Sequence, residues 1–220
     1  MYDEHEVYEG VGALPIIGAF PRVKGDGPID DAAPNPGHFI KTGSTRTGDF
    51  MQTHTGLKFW PMDPRQEEVS IIDIAHSLSM QCRYAGHCDR LYSVAEHSVL
   101  LADWVNQYDS DAALWALLHD ASEAYLVDVP RPVKPFLTGY KAAESKVMAA
   151  ICARFNLPLR MPEIVHEADN RIIADELVNL VPMDWHKKHN DPLGVTLKYW
   201  SPDMAKEKFL QAFFKYSGWR

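Results

Sequence analysis

Cysteine, positive charge and long apolar runs are what this 220-residue sequence has little of. Its three cysteines, Cys82, Cys88 and Cys152, form no C-x-x-C pair and no even-numbered set. That excludes a disulfide framework and points to free thiols in a reducing compartment. Lysine and arginine total 22 against 30 aspartates and glutamates, a formal net charge of −8. Attachment to a nucleic-acid backbone or an anionic membrane needs clustered cations, so stable binding to either is not expected. A small anion needs only a local basic patch and stays open. No apolar run approaches the roughly 18 residues of a membrane span, and residues 1–30 lack a basic start followed by an apolar stretch. The expectation is a cytoplasmic protein without a membrane segment.

What is present suffices for one good-sized core, since 46% of the residues are hydrophobic, and the length favours a single domain. The first fifty residues hold 8 of the 13 glycines and 5 of the 15 prolines, with no helical or strand period, and read as an irregular arm over 1–50. Folding proper is expected from Met51 to the end at 220. A short extended piece is expected at Gly56-Leu57-Lys58-Phe59-Trp60. From Val69 the apolar spacing turns helical, with Ile71, Ile72, Ala75 and Leu78 on one face of a helix over 69–82. Ser93-Val94-Ala95-Glu96 reads as a capping box, Ser93 accepting a backbone N–H and Glu96 reaching back, which opens a helix over 94–107. A third helix follows Asp109-Ser110, runs through Leu117 and Leu118 to His119-Asp120 and ends near Pro130 to Pro135. Further helices are expected over 139–155 and 162–180, and Ser201-Pro202 starts a last one to about 216. The fold class is all-α.

Several residues could carry chemistry. His119-Asp120 closes an apolar helical run, where a charged pair is costly without compensation. Either the pair is a solvated helix end or both groups converge on a metal ion at the helix edge, giving nitrogen and oxygen. Glu123 lies three and four residues further on, on the same face, and is either a surface glutamate or a group that handles the protons of a water. His97, in a stripe with Leu100, Leu101 and Trp104, is a hydrogen-bonded core histidine or a metal ligand. Asp169, beside Ile172 and Ile173, needs a buried partner, which an ion or an arginine would supply.

Taken in order, Tyr92-Ser93-Val94-Ala95-Glu96-His97-Ser98, His119-Asp120-Ala121-Ser122-Glu123-Ala124-Tyr125, Asp128-Val129-Pro130-Arg131-Pro132-Val133-Lys134 and Ala168-Asp169 resemble the HD-domain phosphohydrolases. The spacing is similar to the 5′-deoxynucleotidase branch, especially its phage and prophage members, from about Gly56 to about Glu176. The resemblance implies an HD-type helical bundle with His97, His119, Asp120 and Asp169 as ligands of one divalent ion. Mn²⁺, Co²⁺, Mg²⁺, Zn²⁺ and Fe²⁺ all suit such a mixed donor set. It further implies Glu123 and Asp128 as catalytic acids, and Arg83, Tyr84, His87, Arg131 and Lys134 as substrate contacts. Arg83-Tyr84 stands one residue nearer His97 than in some relatives. The implied substrate is a nucleotide cleaved at its 5′-phosphate ester, most simply a deoxynucleoside monophosphate, the alternatives being a triphosphohydrolase or a silent nucleotide-binding regulator. A homo-oligomer is implied by the resemblance alone.

Three rival readings fail on particular residues. His166-Glu167 begins like H-E-x-x-H, but Asn170 stands where the second histidine belongs. No phosphate-cradling G-x-x-x-x-G-K loop is present. The Gly-Tyr-Pro signature of cyclic-dinucleotide phosphodiesterases comes nearest at Gly139-Tyr140-Lys141, whose third residue is wrong.

Overall fold

Three serines start helices by the same device. Ser70, Ser93 and Ser201 each turn a side-chain oxygen to the backbone N–H three residues on, at 3.4, 3.1 and 3.3 Å, satisfying a donor that the first helical turn leaves unpaired. A computed structural model describes residues 46–219, so the arm expected over 1–50 lies, up to residue 45, outside the described residues. Within that range β1 (Met51–Gln52) pairs antiparallel with β2 (Lys58–Phe59), Met51 opposite Phe59. The rest is helical, in the order α1 (Ile71–Met80), α2 (Val94–Val105), α3 (Ala113–Leu118), α4 (Glu123–Leu126), α5 (Tyr140–Phe155), α6 (Glu163–Glu176) and α7 (Pro202–Ser217), with short 3₁₀ turns between. The protein is all-α. Among the described residues no helix is long and apolar enough to cross a membrane.

α1, α2 and α7 pack on one another, and α2 also receives α3 and α6. Leu78, Leu101, Leu117, Ile172, Phe209 and Phe213 are fully buried between them, and each such side chain stabilises the fold by about 1.5–3 kcal/mol. Ahead of Met51, Arg46 already packs over the Trp60 ring, 4.1 Å from its centroid, and pairs with Glu68 at 2.6 Å and Asp63 at 2.9 Å.

Two local expectations need correction. The third helix is not continuous: it breaks after Leu118 and restarts at Glu123. Between them Ala121 N–H bonds to Leu118 O at 3.0 Å and Glu123 N–H to Asp120 O at 2.9 Å, spacings of three rather than four that tighten the turn. This break turns His119 and Asp120 out of one helical register. The second half of the capping box is also absent. The Glu96 carboxylate, fully buried, turns away from Ser93 and accepts the backbone N–H groups of Lys198 (2.6 Å), Tyr199 (2.9 Å) and Trp200 (2.7 Å). A residue read as a local cap is therefore a long-range clamp, holding the segment before α7 against the first turn of α2.

A buried donor left unpaired costs about 1–3 kcal/mol. Glu96→Ala removes the acceptor of three part-buried donors, so urea unfolding is expected to show a loss of about 1–3 kcal/mol, whereas exposed Glu207→Ala stays close to wild type.

Candidate metal centre

Two helices and one turn bring the site together. His97 sits in the first turn of α2, His119 and Asp120 in the break between α3 and α4, and Asp169 near the middle of α6. His97 Nε2 lies 3.2 Å from His119 Nε2, and Asp169 Oδ1 lies 3.4 and 3.6 Å from the two nitrogens. Asp120 Oδ2 is 3.1 Å from His119 Nε2 and 3.7 Å from His97 Nε2. His97, His119 and Asp169 form a group whose ligand atoms all fall within 4.8 Å of one another and could hold a metal ion. Asp120 approaches both imidazoles of that group.

The outer nitrogens of both imidazoles settle what the inner ones offer. His97 Nδ1 faces Glu176 Oε1 at 2.7 Å, and His119 Nδ1 faces the Ala116 carbonyl oxygen at 2.7 Å. Neither partner has a hydrogen to give, so each Nδ1 carries a proton, and each Nε2 is the atom that would present a lone pair to a metal ion in the neutral ring. With the two Nε2 atoms 3.2 Å apart, two neutral rings would repel unless a proton or a metal ion stood between or beside them. With two carboxylates at the same point the donor set fits a divalent ion, and hydrogen bonds to the far side of ligating imidazoles are the usual way such ligands are oriented.

Charges respond accordingly. Burial pushes the Asp169 carboxyl up, but hydrogen bonds from His119 and His97 hold it well below the usual range. Burial acts on Asp120 in the same way and His119 outweighs it, leaving about 2. His119 would lose its proton more readily on burial alone, yet Asp120 and Asp169 raise it well above the ordinary histidine value.

Glu123 behaves in the opposite sense. It is buried, its Oε2 has no hydrogen-bond partner, and burial together with the nearby charges of Asp120 and Asp128 pushes it up to about 9. Lys134 Nζ stands 3.4 Å from its Oε1 and 3.2 Å from Glu144. Asp128 is half-buried, raised by burial, and its N–H is fixed by Gln81 Oε1 at 2.9 Å; the same Gln81 donates to the Glu123 carbonyl at 3.0 Å. One glutamine from the end of α1 thus sets both ends of the segment that carries the two acids.

Arg83 and Tyr84 lie in a turn where Tyr84, Ala85 and Gly86 all have left-handed backbone, φ 56°, 52° and 79°, a conformation non-glycine residues avoid. Arg83 reaches Asp120 at 3.5 Å and Glu176 at 3.1 Å, and the Tyr84 hydroxyl bonds to Glu176. Two expected substrate contacts are not drawn in: His87 and Arg131 are exposed and make no side-chain hydrogen bond or ion pair among the described residues. The six-residue separation of Cys82 and Cys88 hides a proximity, for their sulfurs are 3.4 Å apart across this turn, both as free thiols. Glu176 was not legible as a site residue, although it stands two helical turns after Asp169 on the same face. A cleft of about 470 Å³ lined by His54, Asp73, His76, Gln81 and Val127 shares none of the clustered histidines and aspartates.

The protein is thus an all-α chain with a cluster of two buried histidines and two half-buried aspartates that could hold a divalent ion. It is 42% identical over 127 residues to the uncharacterized protein YfdR of Escherichia coli, an overlap of 58% of this chain and 70% of that one. It is 37% identical over 121 residues to the uncharacterized protein RCAP_rcc00048 of Rhodobacter capsulatus, covering 52% and 62%. The chain belongs to the same family as YfdR. No protein-family model matches the sequence.

Two outcomes follow from the geometry. A ligand at 100 times its Kd stabilises a fold by about 2.7 kcal/mol, so Mn²⁺ at that level is expected to raise the melting temperature of wild type but not of Asp169→Asn. Glu123 holds its proton more tightly folded than unfolded, so its contribution to stability is full below about 4.5 and lost as pH rises through about 9. In ion-free protein, Glu123→Gln is therefore expected to gain stability over wild type progressively between those values, read from melts across the range.

Proposed function

We propose that this chain is a divalent-metal-dependent phosphohydrolase that removes the 5′-phosphate of deoxynucleoside monophosphates, giving deoxynucleoside and phosphate. The observation that carries the reading is the meeting of two Nδ1-anchored imidazoles and two carboxylates beside a buried, unpartnered glutamate oxygen. His97, His119, Asp120 and Asp169 would hold the ion. When bound, the ion would polarise a phosphoryl oxygen and lower the pKa of a coordinated water.

The chain's own side chains supply the rest. Glu176 and Asp120 together engage only part of the Arg83 donor set, for Nε and Nη2 face Glu176 and Nη1 faces Asp120. The guanidinium has five N–H groups, so donors remain for the phosphoryl oxygens as their charge grows. Lys134, held between Glu123 and Glu144, adds a second cation on the other side of Glu123. Glu123 is in its protonated form near neutral pH and suits donation to the departing 5′-oxygen, with Asp128 as the neighbouring acid. A site that mixes these groups and buries them from water strengthens each interaction. The net negative charge of the chain agrees with a small anionic substrate rather than a polymer, and its free thiols with a cytoplasmic enzyme.

The test is a chelator-stripped preparation resupplied with Mn²⁺, Co²⁺ or Mg²⁺ and offered deoxy- and ribonucleoside mono- and triphosphates, products being separated by chromatography. Deoxynucleoside is expected only with metal, absent with Asp120→Ala and reduced about 10²–10⁴-fold in Glu123→Gln. Triphosphate as co-product would move the assignment to a triphosphohydrolase. Tight metal binding with no turnover of any nucleotide would sink the hydrolase reading in favour of a binding regulator.

A further inference from the structure

Glu176 is the last residue of α6 and is fully buried. A buried carboxylate survives only if its lone pairs are satisfied. Here three hydrogen bonds meet them, from His97 Nδ1 at 2.7 Å on Oε1 and from Arg83 Nη2 at 3.3 Å and the Tyr84 hydroxyl on Oε2, and Arg83 Nε adds an ion-pair contact to Oε1 at 3.1 Å. Both oxygens of this fully buried carboxylate are engaged by protein groups, so it is poorly placed to take a metal ion or a substrate directly. Whatever Glu176 does, it does through the groups it holds.

Those groups belong to two different tasks. His97 turns Nε2 into the ion site only while its Nδ1 keeps a proton, and the facing carboxylate oxygen enforces that tautomer. Arg83 and Tyr84 open a left-handed turn that the backbone alone disfavours, with φ 56° at Tyr84 and 52° at Ala85. Their side chains converge on the same carboxylate, which anchors the turn from α6.

We propose that Glu176 is a positioning residue that sets the metal-ligating tautomer of His97 and the aim of Arg83 together, so that metal affinity and phosphate affinity depend on one side chain. This rests on the metal-dependent phosphohydrolase reading for the identity of the two ligands. An amide at this position keeps the shape but presents one acceptor oxygen and an NH₂ group. It cannot accept from His97, Arg83 and Tyr84 at once, and its NH₂ meets one of them donor to donor.

The test uses full-length wild type, Glu176→Gln and Glu176→Asp. Nitrogen-15 NMR of the ion-free protein reads the tautomer of His97, which is expected to be Nδ1–H in wild type and to lose that preference in Glu176→Gln. Calorimetric titration with Mn²⁺ is expected to show affinity about 10–100-fold weaker in Glu176→Gln. At saturating Mn²⁺, inorganic phosphate is expected to bind that variant more weakly as well, by about 10-fold, the scale of one lost charge-assisted hydrogen bond. Glu176→Asp keeps the charge and stands in should the glutamine variant fail to fold, with smaller losses in the same three readings. A variant that merely melts earlier, with His97 unchanged and both affinities intact, overturns the proposal. Loss of Mn²⁺ affinity with full phosphate affinity overturns the coupling. If wild type binds no divalent ion the metal reading itself fails, and the tautomer measurement still decides whether Glu176 fixes His97.

Discussion

Two imidazole nitrogens 3.2 Å apart in the interior, each ring held from behind through its other nitrogen, are the constraint to which the surrounding structure answers. Such a pair is held if each ring is pinned from behind and a proton or a cation is shared in front. The pins are a carbonyl of α3 and a carboxylate of α6, and the front is lined by Asp120 and Asp169. Each acid brought in to serve the imidazoles creates its own demand for compensation. Arg83 answers two of them, and Lys134 answers Glu123. The polar interior is one connected chain of obligations rather than a set of independent ion pairs, and within it Glu123 Oε2 is left without a partner. A carboxyl in that state costs stability and gains reactivity.

How much of this was legible in the sequence depended on whether the interaction was local. Helix starts were, because a serine and the N–H three residues on are neighbours in the chain as well as in space. Ser93 and Ser201 cap where their spacing says they should, and Ser70 caps a helix that was expected to begin one residue before it. The break between α3 and α4 was not, because Leu117 to Ala124 keeps an unbroken helical pattern of apolar residues. What breaks it is the tightening around His119 and Asp120, whose side chains must leave the helical register to meet His97 and Asp169. Glu96 misled for the same reason: its spacing from Ser93 satisfies the local rule, and nothing nearby in sequence announces that three backbone donors from 198–200 claim it instead.

The site residues divide along the same line. His97, His119, Asp120 and Asp169 stand in four-part order along the chain, and the fold brings them to one point. Glu123 was readable from its three-residue step after Asp120, though not the burial that leaves it protonated. Glu176 has no motif around it; its position two turns beyond Asp169 is the one trace it leaves. His87 and Arg131 show the converse, since proximity in sequence to Arg83 and Lys134 did not draw them into contact with the cluster. Gln81 likewise carries no signal, yet it ties Glu123 and Asp128 to the end of α1.

The grip of Glu96 on residues 198–200 bears on how the chain is made. Glu96 and His97 are adjacent, and the donors that satisfy the first lie about a hundred positions downstream. A nascent chain still lacking that segment carries a carboxylate beneath α2 with nothing to bind, and water must stay in place of it. The first turn of α2, and with it His97, is therefore expected to reach its final form only when the stretch ahead of α7 has left the ribosome. Synthesis from the N-terminus thus completes the centre late, so that an ion captured earlier would meet an unfinished set of ligands.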